Sequence, residues 1–387
     1  MNFEERIHAV IAREMKNRES EAARFLKKIQ EKPKLCLWGL GSHGHNWDSY
    51  LRSLGILADY VYDSSKENLA AWQGSGEKLN SFPALEAHLA ESSVLVTIGC
   101  ASPVLTELHA RGFYDAYEAT VNIFSFDASL RYAGRPHRLA EMERNVCALL
   151  HLCADDTSKE IVCQTVEKFF DEAHVQIDCI TDQYFVQPLV PLTDEECFVD
   201  VGAFNGDTID AFLNAVDGKY RHIHAFEMSK RNYARLLQMV QDDPRCDAVH
   251  VSLYPCGASD REGTSHYYEN NTSSVFSDDG TECAEFHRLD DVLRGQRVTF
   301  IKMDIEGAEY DALLGMKDTL KAHPILMVSM YHKVEDLFRL QLLIEKMCPG
   351  VYHYYIRHYS PTIIETVLYA VPKEREAMRH TGGRKNH

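Results

Sequence analysis

Acidic side chains flank two glycine-containing turns in the second half of the chain, and this pattern favours binding of a cationic ligand. Asp200 and Asp207 stand on either side of the turn Gly202-Ala203-Phe204-Asn205-Gly206, and Asp304 and Glu306 stand in the second turn. Each turn follows an apolar run and precedes a helical pattern. A glycine turn before a helix often binds a phosphate. Two carboxylates beside the first turn would repel phosphate, so they favour a cationic ligand that lacks one.

A third acid, Glu227, stands where nucleotide-binding sheets hold a ribose. It ends the apolar run at 222–226, 27 positions after Asp200 (227 − 200), and a carboxylate at a strand end accepts hydrogen bonds from both ribose hydroxyls. S-adenosylmethionine is a nucleoside that is positively charged and has no phosphate. The turn at 255–258 is suited to lie along its adenine edge. The alternative is an ordinary strand, turn and helix with surface acids. The predicted cofactor-binding residues are Asp200, Gly202, Ala203, Phe204, Asn205, Gly206, Asp207, Glu227, Cys256, Gly257 and Asp304.

Alternating strand and helix patterns place these acids at one edge of a parallel sheet. In a doubly wound sheet, ligands bind at the carboxyl ends of the strands, so Asp304 and Glu306 should face the crevice that contains Asp200. His332 follows the fifth strand pattern and should face the same crevice. The strand patterns cover 198–201, 222–226, 248–253, 298–304, 324–330 and a closing pair at 351–357 and 366–371.

Two polar segments interrupt the second half of the chain, and the sequence allows two interpretations of each. Residues 182–185 contain Tyr184 and Phe185 and either close over the cofactor or pack against the sheet. Residues 264–276 resemble a polar hairpin, which either lies on the side where substrate enters or is simply solvated.

The first half of the chain carries a second glycine pattern. Gly39, Gly41 and Gly44 follow a strand pattern and precede a helical one, and Asp63 lies 19 positions after Gly44 (63 − 44). The dinucleotide fingerprint is therefore formally complete, which leaves a nicotinamide-dependent oxidoreductase as a rival function. No residue set for hydride transfer accompanies it, so we expect a Rossmann-like scaffold whose site is vacant or adapted. A nucleotide-sugar is a candidate ligand of this domain.

Length and composition predict a two-domain enzyme of the cytoplasm. The chain has 387 residues, of which 45% are hydrophobic, and a net charge of −17, which argues against nucleic acid or an anionic membrane as the main partner. Its 11 cysteines are spread singly, as is typical of reduced thiols. We predict an N-terminal helical arm and Rossmann-like domain at 1–135, a helical connector at 136–178, a catalytic domain at 179–372 and a mobile tail at 373–387. The helix at 1–31 is a candidate contact for a homo-oligomer.

Several motifs over roughly 180–372 resemble class I S-adenosylmethionine-dependent methyltransferases, and more narrowly the FkbM methyltransferase family. The resemblance implies a seven-stranded α/β sheet whose last strand is antiparallel, and O-methylation of sugar or polyketide-type hydroxyls. The glycine turn departs from the commoner Gly-x-Gly-x-Gly pattern. A non-catalytic cofactor- or sugar-binding module is the other rival function. The motifs are Phe198–Asp207, His224–Glu227, Pro255–Ser259, His287–Asp291, Ile301–Glu309, Val328–His332 and Glu365–Tyr369.

The mechanism inferred for such an enzyme is in-line attack of a small-molecule or glycan hydroxyl on the methyl group. A positioned base contributes ~10²–10⁴-fold to such a step. The predicted catalytic residues are His332 as base and Asp304 or Glu306, which either orient it or accept the proton. We predict that Glu309 only favours the start of its helix. The acids could also hold Mg²⁺, but the set of ligands is incomplete by sequence, so no metal is predicted.

Overall fold

The computed structural model describes residues 2–17, 19–98, 100–119, 123–171, 174–181, 183–186, 189–247, 249–269, 274–276 and 282–376. The chain divides into two compact units, which we call the N-terminal unit (12–139) and the C-terminal unit (1–11 and 140–387). These limits differ from the predicted domains, because the start of the first helix and most of the predicted connector belong to the C-terminal unit. No helix in the described part of the chain is long and apolar enough to cross a membrane.

The N-terminal unit is a five-stranded, fully parallel sheet with helices between its strands. The strand order is β3-β2-β1-β4-β5, which is the Rossmann order without a sixth strand and confirms that prediction. A 3₁₀ turn covers Leu89–Glu91. The elements after the first helix α1 (Phe3–Glu14) are α2 (Glu21–Ile29), β1 (Lys34–Trp38), α3 (Ser42–Ser53), β2 (Tyr60–Tyr62), α4 (Lys66–Ala71), β3 (Glu77–Lys78), α5 (Phe82–Glu86), β4 (Ser92–Val96), α6 (Ser102–Ala110), β5 (Ala116–Glu118) and α7 (Ile123–Tyr132).

Two helices, α8 (Pro136–Leu152) and α9 (Asp156–Phe170), lead to the second sheet. Asp155 caps α9 by accepting a hydrogen bond from the backbone N–H of Ser158 at 2.8 Å, which satisfies one of the free N–H groups at a helix start. The hydroxyl of Ser158 in turn accepts a 2.9 Å bond from the backbone N–H of Ile356. Helix α9 is thereby fixed against the last strand pair of the C-terminal sheet.

The C-terminal unit contains a seven-stranded sheet in the order β15-β16-β14-β13-β6-β7-β8. Strands β14, β13, β6, β7 and β8 are parallel, and β16 runs antiparallel to both β14 and β15, so the predicted α/β sheet with an antiparallel last strand is confirmed. Its elements are β6 (Cys197–Val201), α10 (Asp207–Ala215), β7 (His222–Phe226), α11 (Lys230–Asp242), β8 (Val251–Tyr254), β13 (Phe300–Met303), α13 (Glu309–Leu314), a 3₁₀ turn (Thr319–Ala322), β14 (Ile325–Ser329), α14 (Asp336–Met347), β15 (Tyr352–His358) and β16 (Thr366–Pro372).

A four-stranded sheet is inserted between β8 and β13, in the order β11-β10-β12-β9. It includes the predicted hairpin, because β10 pairs with β11 in antiparallel register; Asn270, Asn271 and Ser273 lie outside the described residues. The added elements are β9 (Gly257–Ala258), β10 (Gly263–Glu269), β11 (Ser274–Phe276), β12 (Glu282–His287) and α12 (Leu289–Val292).

The central strands are covered on both faces, as their unbroken apolar runs require. All five residues of β6 and of β14 are buried, and Phe198, Phe212 and Phe300 stack within one core cluster. The start of the predicted mobile tail is helical at 373–376, and Arg375 donates to the carboxylate of Glu196. The mobile-tail prediction therefore does not hold for these residues, and 377–387 lie outside the described part.

Candidate active site

A cavity of about 370 Å³ lies at the carboxyl ends of β6, β7 and β13. The structure brings most of the predicted site residues to its wall: Gly202, Phe204, Asp207, Glu227, Cys256, Gly257, Asp304 and Glu306. Gln183 and Tyr184 also line it, as one of the two interpretations of the 182–185 segment predicts, whereas Phe286, Lys302, Tyr331 and Glu365 were not predicted for the site. Among the described residues, five that were predicted do not line the cavity: Asp200, Ala203, Asn205, Gly206 and His332.

The first glycine turn needs its glycines for close packing. Gly202 has a φ of 84°, and a Cβ there would lie 2.0 Å from the backbone oxygen of Asp304, so only glycine lets the two turns meet. Gly206 has a φ of 93° at the start of α10, and a Cβ there would meet the side chain of Met239 at 2.0 Å. Ala203 is fully buried in the core and Asn205 is exposed. Ala203, Asn205 and Gly206 thus shape the turn rather than the cavity wall, whereas Gly202 belongs to both.

Asp200 does not reach the cavity, which corrects its predicted role as a direct cofactor contact. Its side chain is 0% exposed and lies 3.1 Å from Nζ of Lys302, which is 3% exposed. Lys302 also donates a 2.7 Å hydrogen bond to the backbone oxygen of Gly202. Burial opposes the charge on Lys302, but Asp200 and Asp304 outweigh it and raise the pKa of the lysine. The pair therefore holds the glycine turn from beneath.

Glu227 is the acid at the end of β7, and it lines the cavity as predicted. One carboxylate oxygen accepts a 2.9 Å bond from the backbone N–H of Phe204, and the other accepts a 2.8 Å bond from Ser229. Burial raises the pKa of Glu227 to about 7, against the effect of these two donors. Each oxygen retains a second lone pair, so the carboxylate can still accept hydroxyl groups from a ligand.

Asp304 stands on the opposite side of the cavity and accepts hydrogen bonds from two tyrosines. The hydroxyl of Tyr184 donates to it at 2.9 Å, and that of Tyr331 lies at 3.3 Å. Burial favours the neutral acid, but His332 and Lys302 outweigh it, so the pKa of Asp304 is lowered. Tyr184 thus faces the site, while Phe185 packs against Phe198 in the core. Each of the two interpretations of the 182–185 segment therefore fits one of its residues. Asp182 lies outside the described residues.

The structure does not support His332 as a base. Its Nδ1 lies 2.8 Å from Glu309, and its Nε2 lies 3.4 Å from Asp304 and 3.6 Å from Glu306. Burial lowers the pKa of the imidazole, but the three carboxylates outweigh it and raise the pKa to about 10. An imidazolium at neutral pH has no lone pair with which to accept a proton. His332 therefore supplies positive charge between acids, which corrects its predicted role.

Glu309 has a larger role than the predicted stabilisation of a helix start. Its side chain is fully buried, and one oxygen accepts a 2.9 Å bond from the backbone N–H of Ile305 while it pairs with His332. Asp304, Glu309 and His332 offer potential metal-ligand atoms within 4.8 Å of one another. Both ring nitrogens of His332 already face carboxylates, so these three residues satisfy one another as an ion-pair network.

Glu306 and Glu365 complete the acidic side of the cavity. Glu306 has a φ of 56°, which turns its side chain away from the sheet, and that side chain is 46% exposed. Loss of solvent on its covered side raises the pKa of Glu306, against the effect of His332 and with that of Asp304 and Glu309. Glu365 accepts a 2.8 Å bond from Gln183, and burial and Asp304 raise its pKa. Glu306 was predicted from its place after a strand, whereas Glu365 lies in a loop that only the closing strand pair brings here.

The charges around the cavity fit a cationic ligand. The described lining residues include five acids, Asp207, Glu227, Asp304, Glu306 and Glu365. The single lysine among them, Lys302, is already directed at Asp200 and Gly202. No cation is therefore left in the described wall to pair with a phosphate, and a phosphate-free cofactor with positive charge is favoured.

In the glycine pattern of the N-terminal unit, the carboxylate of Asp63 already accepts hydrogen bonds from other residues of that unit. Asp63 accepts bonds from the backbone N–H groups of Leu40 at 2.6 Å and Ser65 at 2.7 Å, and from the side chain of Asn68 at 3.1 Å. This is the residue that would hold a ribose in a dinucleotide site. Here it closes the turn after β1 onto the start of α4.

Comparison with known proteins agrees with this architecture. Residues 200–349 match the family model described as methyltransferase FkbM domain. The structure is similar to that of methyltransferase FkbM from Methylobacillus flagellatus KT, with 19% identity, a TM-score of 0.60, and coverage of 95% of this chain and 98% of that one. At this identity the similarity shows a shared fold. No curated protein sequence is significantly similar to the chain.

Two further solved structures overlap with part of the chain. Aeropyrum pernix fibrillarin in complex with S-adenosyl-L-methionine is 13% identical, with a TM-score of 0.30 over 47% of this chain and 70% of that one. Precorrin-6y C5,15-methyltransferase from Geobacter metallireducens GS-15 is 10% identical, with a TM-score of 0.30 over 50% and 92%. At these TM-scores neither carries an argument. Residues 200–349 thus match a methyltransferase FkbM domain, on a fold that the chain shares over nearly its whole length with one such protein.

Proposed function

We propose that the protein transfers a methyl group from S-adenosylmethionine to a hydroxyl oxygen of a small polyhydroxylated acceptor, such as a sugar or glycan. The observation that carries the proposal is that one cavity brings together a strand-end acid, a glycine turn and a carboxylate bonded by two tyrosines. Glu227 and Glu306 stand in the wall at the ends of β7 and β13, with the glycine turn of β6 between them, and Asp304 beside Glu306 accepts hydrogen bonds from two tyrosines.

The part of the wall that contains Glu227 and the glycine turn fits this cofactor. When bound, it supplies a methyl group on a positively charged sulfur. Glu227 would accept the ribose hydroxyls, since its two oxygens keep free lone pairs. Cys256, Gly257 and Phe286 offer an apolar wall for the adenine. The acids of the cavity stabilise the positive charge and leave no described cation for a phosphate.

Glu306 is the residue best placed to accept the proton of the acceptor hydroxyl. It lines the cavity, and its raised pKa makes it a stronger base than an ordinary carboxylate. With the cofactor bound, the acceptor oxygen would take the methyl group from sulfur, and the Glu306 carboxylate would take the hydroxyl proton. The products are a methyl ether and a neutral thioether, so charge and atoms balance.

Asp304, Tyr184 and Tyr331 would position the acceptor. A carboxylate with two phenol hydroxyls offers hydrogen-bond acceptors and donors close together, which suits a substrate with several hydroxyl groups. His332 keeps Asp304 ionised through its positive charge. It also lies 3.6 Å from Glu306, so it acts by positioning these acids.

The test is transfer of labelled methyl from S-adenosylmethionine to a panel of free sugars, glycans and nucleotide-sugars. Glu306→Gln keeps the size of the side chain and removes its basicity, so its rate should fall by ~10²-fold or more while binding of S-adenosylhomocysteine is unchanged. Glu195→Gln is the matched control, because Glu195 is 53% exposed and lies just before the amino end of β6.

Two results would contradict parts of the proposal. A Glu306→Gln enzyme with the full rate would remove Glu306 as the base. Tight binding of S-adenosylhomocysteine with no methyl transfer to any hydroxyl acceptor, and with transfer to an amine or thiol instead, would refute O-methylation.

A further inference from the structure

A group of metal-binding side chains lies between two helices of the C-terminal unit, away from the cavity. Glu4 and His8 are four positions apart on α1, and Glu143, Cys147 and His151 follow each other at the same interval on α8. Side chains four positions apart share one face of a helix. Two helices therefore present ligand-type residues to each other.

The distances in this group are those of a nearly formed site. One ligand atom each from Glu4, His8 and Cys147 lie within 4.8 Å of one another. Nε2 of His151 lies 3.0 Å from the carboxylate of Glu4, and Nδ1 of His8 lies 2.6 Å from Glu143. Four potential ligand residues of three types and an additional carboxylate thus converge from two helices.

We propose that Glu4, His8, Cys147 and His151 bind one borderline-soft divalent transition ion of the zinc class. Thiolate, imidazole and carboxylate are the ligands that tetrahedral zinc sites use. The thiolate and the Glu4 carboxylate together balance the two positive charges of the ion. Glu143 lies next to His8, where a carboxylate can orient a ligand histidine. Mg²⁺ and Ca²⁺ prefer all-oxygen sites and fit this set poorly.

The site would fasten the first helix to the rest of the C-terminal unit. Residues 1–11 belong to that unit although the N-terminal unit separates them from residue 140 in sequence. The adjoining stripe of α1 already packs through buried Ile7 and Ile11, and the metal would fasten its more exposed edge. Binding releases the Cys147 thiol proton to solvent, so no other reactant is needed.

Cobalt(II) titration of the untagged, full-length protein after chelator treatment tests the proposal. We expect one equivalent of Co²⁺ or Zn²⁺ per chain, a thiolate-to-cobalt charge-transfer band in the near ultraviolet, and a rise in Tm of about 5 °C with saturating Zn²⁺. Cys147→Ser should lose the band, and His8→Gln should weaken binding by at least ~10-fold. Mg²⁺ should produce no rise in Tm.

The matched control is Cys179→Ser, which removes another cysteine of the C-terminal unit that is exposed. It should keep the band, the stoichiometry and the rise in Tm. The proposal is overturned if wild type binds no Co²⁺ or Zn²⁺, or if Cys147→Ser keeps the charge-transfer band of wild type. Because the wild-type titration alone can refute the site, the test does not depend on the variants being folded.

Discussion

Lys302→Met should destabilise the C-terminal unit strongly, because it leaves a buried carboxylate without its counter-charge. Lys302 and Asp200 are 3% and 0% exposed, 3.1 Å apart, and the lysine also holds the backbone oxygen of Gly202 at 2.7 Å. Methionine has nearly the same length as lysine but has no charge and no donor. The variant thus removes one partner and leaves the other buried.

The expected loss is ~3–5 kcal/mol in the free energy of unfolding, as is typical when one partner of a buried pair is removed. That is a large part of the ~5–15 kcal/mol by which a domain is stable. The double variant Asp200→Asn with Lys302→Met should be more stable than Lys302→Met alone by ~2 kcal/mol, since the uncompensated charge is gone. Both variants lack the hydrogen bond from Lys302 to the backbone oxygen of Gly202, so both should bind S-adenosylhomocysteine more weakly than wild type.

The chain provides an internal control for this measurement. Its three tryptophans, Trp38, Trp47 and Trp72, all lie in the N-terminal unit and are buried there. Tryptophan fluorescence during urea unfolding therefore reports the N-terminal unit. Hydrogen exchange of the β6 and β13 amides at increasing urea reports the C-terminal unit.

In Lys302→Met, the urea midpoint of the fluorescence transition should be unchanged, while the hydrogen-exchange protection of the β6 and β13 amides should fall. The reasoning is refuted if Lys302→Met changes the stability of β6 and β13 by less than ~1 kcal/mol, which is below the range for a broken buried pair. It is also refuted if the double variant is less stable than Lys302→Met, because removing the unpaired buried charge of Asp200 should raise the free energy of unfolding.

Three further predictions concern pH and the first glycine pattern. Because burial raises the pKa of Glu227 to about 7, binding of S-adenosylhomocysteine at pH 6.5 should release a proton and tighten as pH rises through about 7; calorimetry in two buffers measures this, and Glu227→Gln should abolish it. The pKa of His332 is raised from 6.5 to about 10, so the stabilisation that its positive charge provides should be complete below pH 6.5 and lost as pH rises through about 10. In urea unfolding, His332→Gln should thus lower the free energy of unfolding by ~3 kcal/mol near pH 7 and by little above pH 10. NAD and NADP should leave Tm unchanged, since Asp63 is occupied; a shift that Gly41→Asp removes would contradict this.

The sequence determined the sheet and the position of most acids relative to it. Apolar runs of four to seven residues that alternate with helical patterns define parallel strands, because both faces of such a sheet are buried. Glycines after two of these runs mark the turns at their carboxyl ends. Glu227 and Asp304 could therefore be assigned to the cavity before any coordinates, as they follow their strands directly.

Tertiary structure alone decided which charges face the ligand and which face each other. Lys302 lies inside an apolar run, and nothing local indicates that β13 pairs with β6 in the register that places Lys302 beside Asp200 and beneath Gly202. Glu309 has the pattern of an ordinary acid at a helix start, and only the loop after β14 brings His332 to it. Spacing along the chain fixes the end of a strand at which a residue stands. The pKa and the role of that residue depend on the opposite charges that other elements bring within a few ångströms.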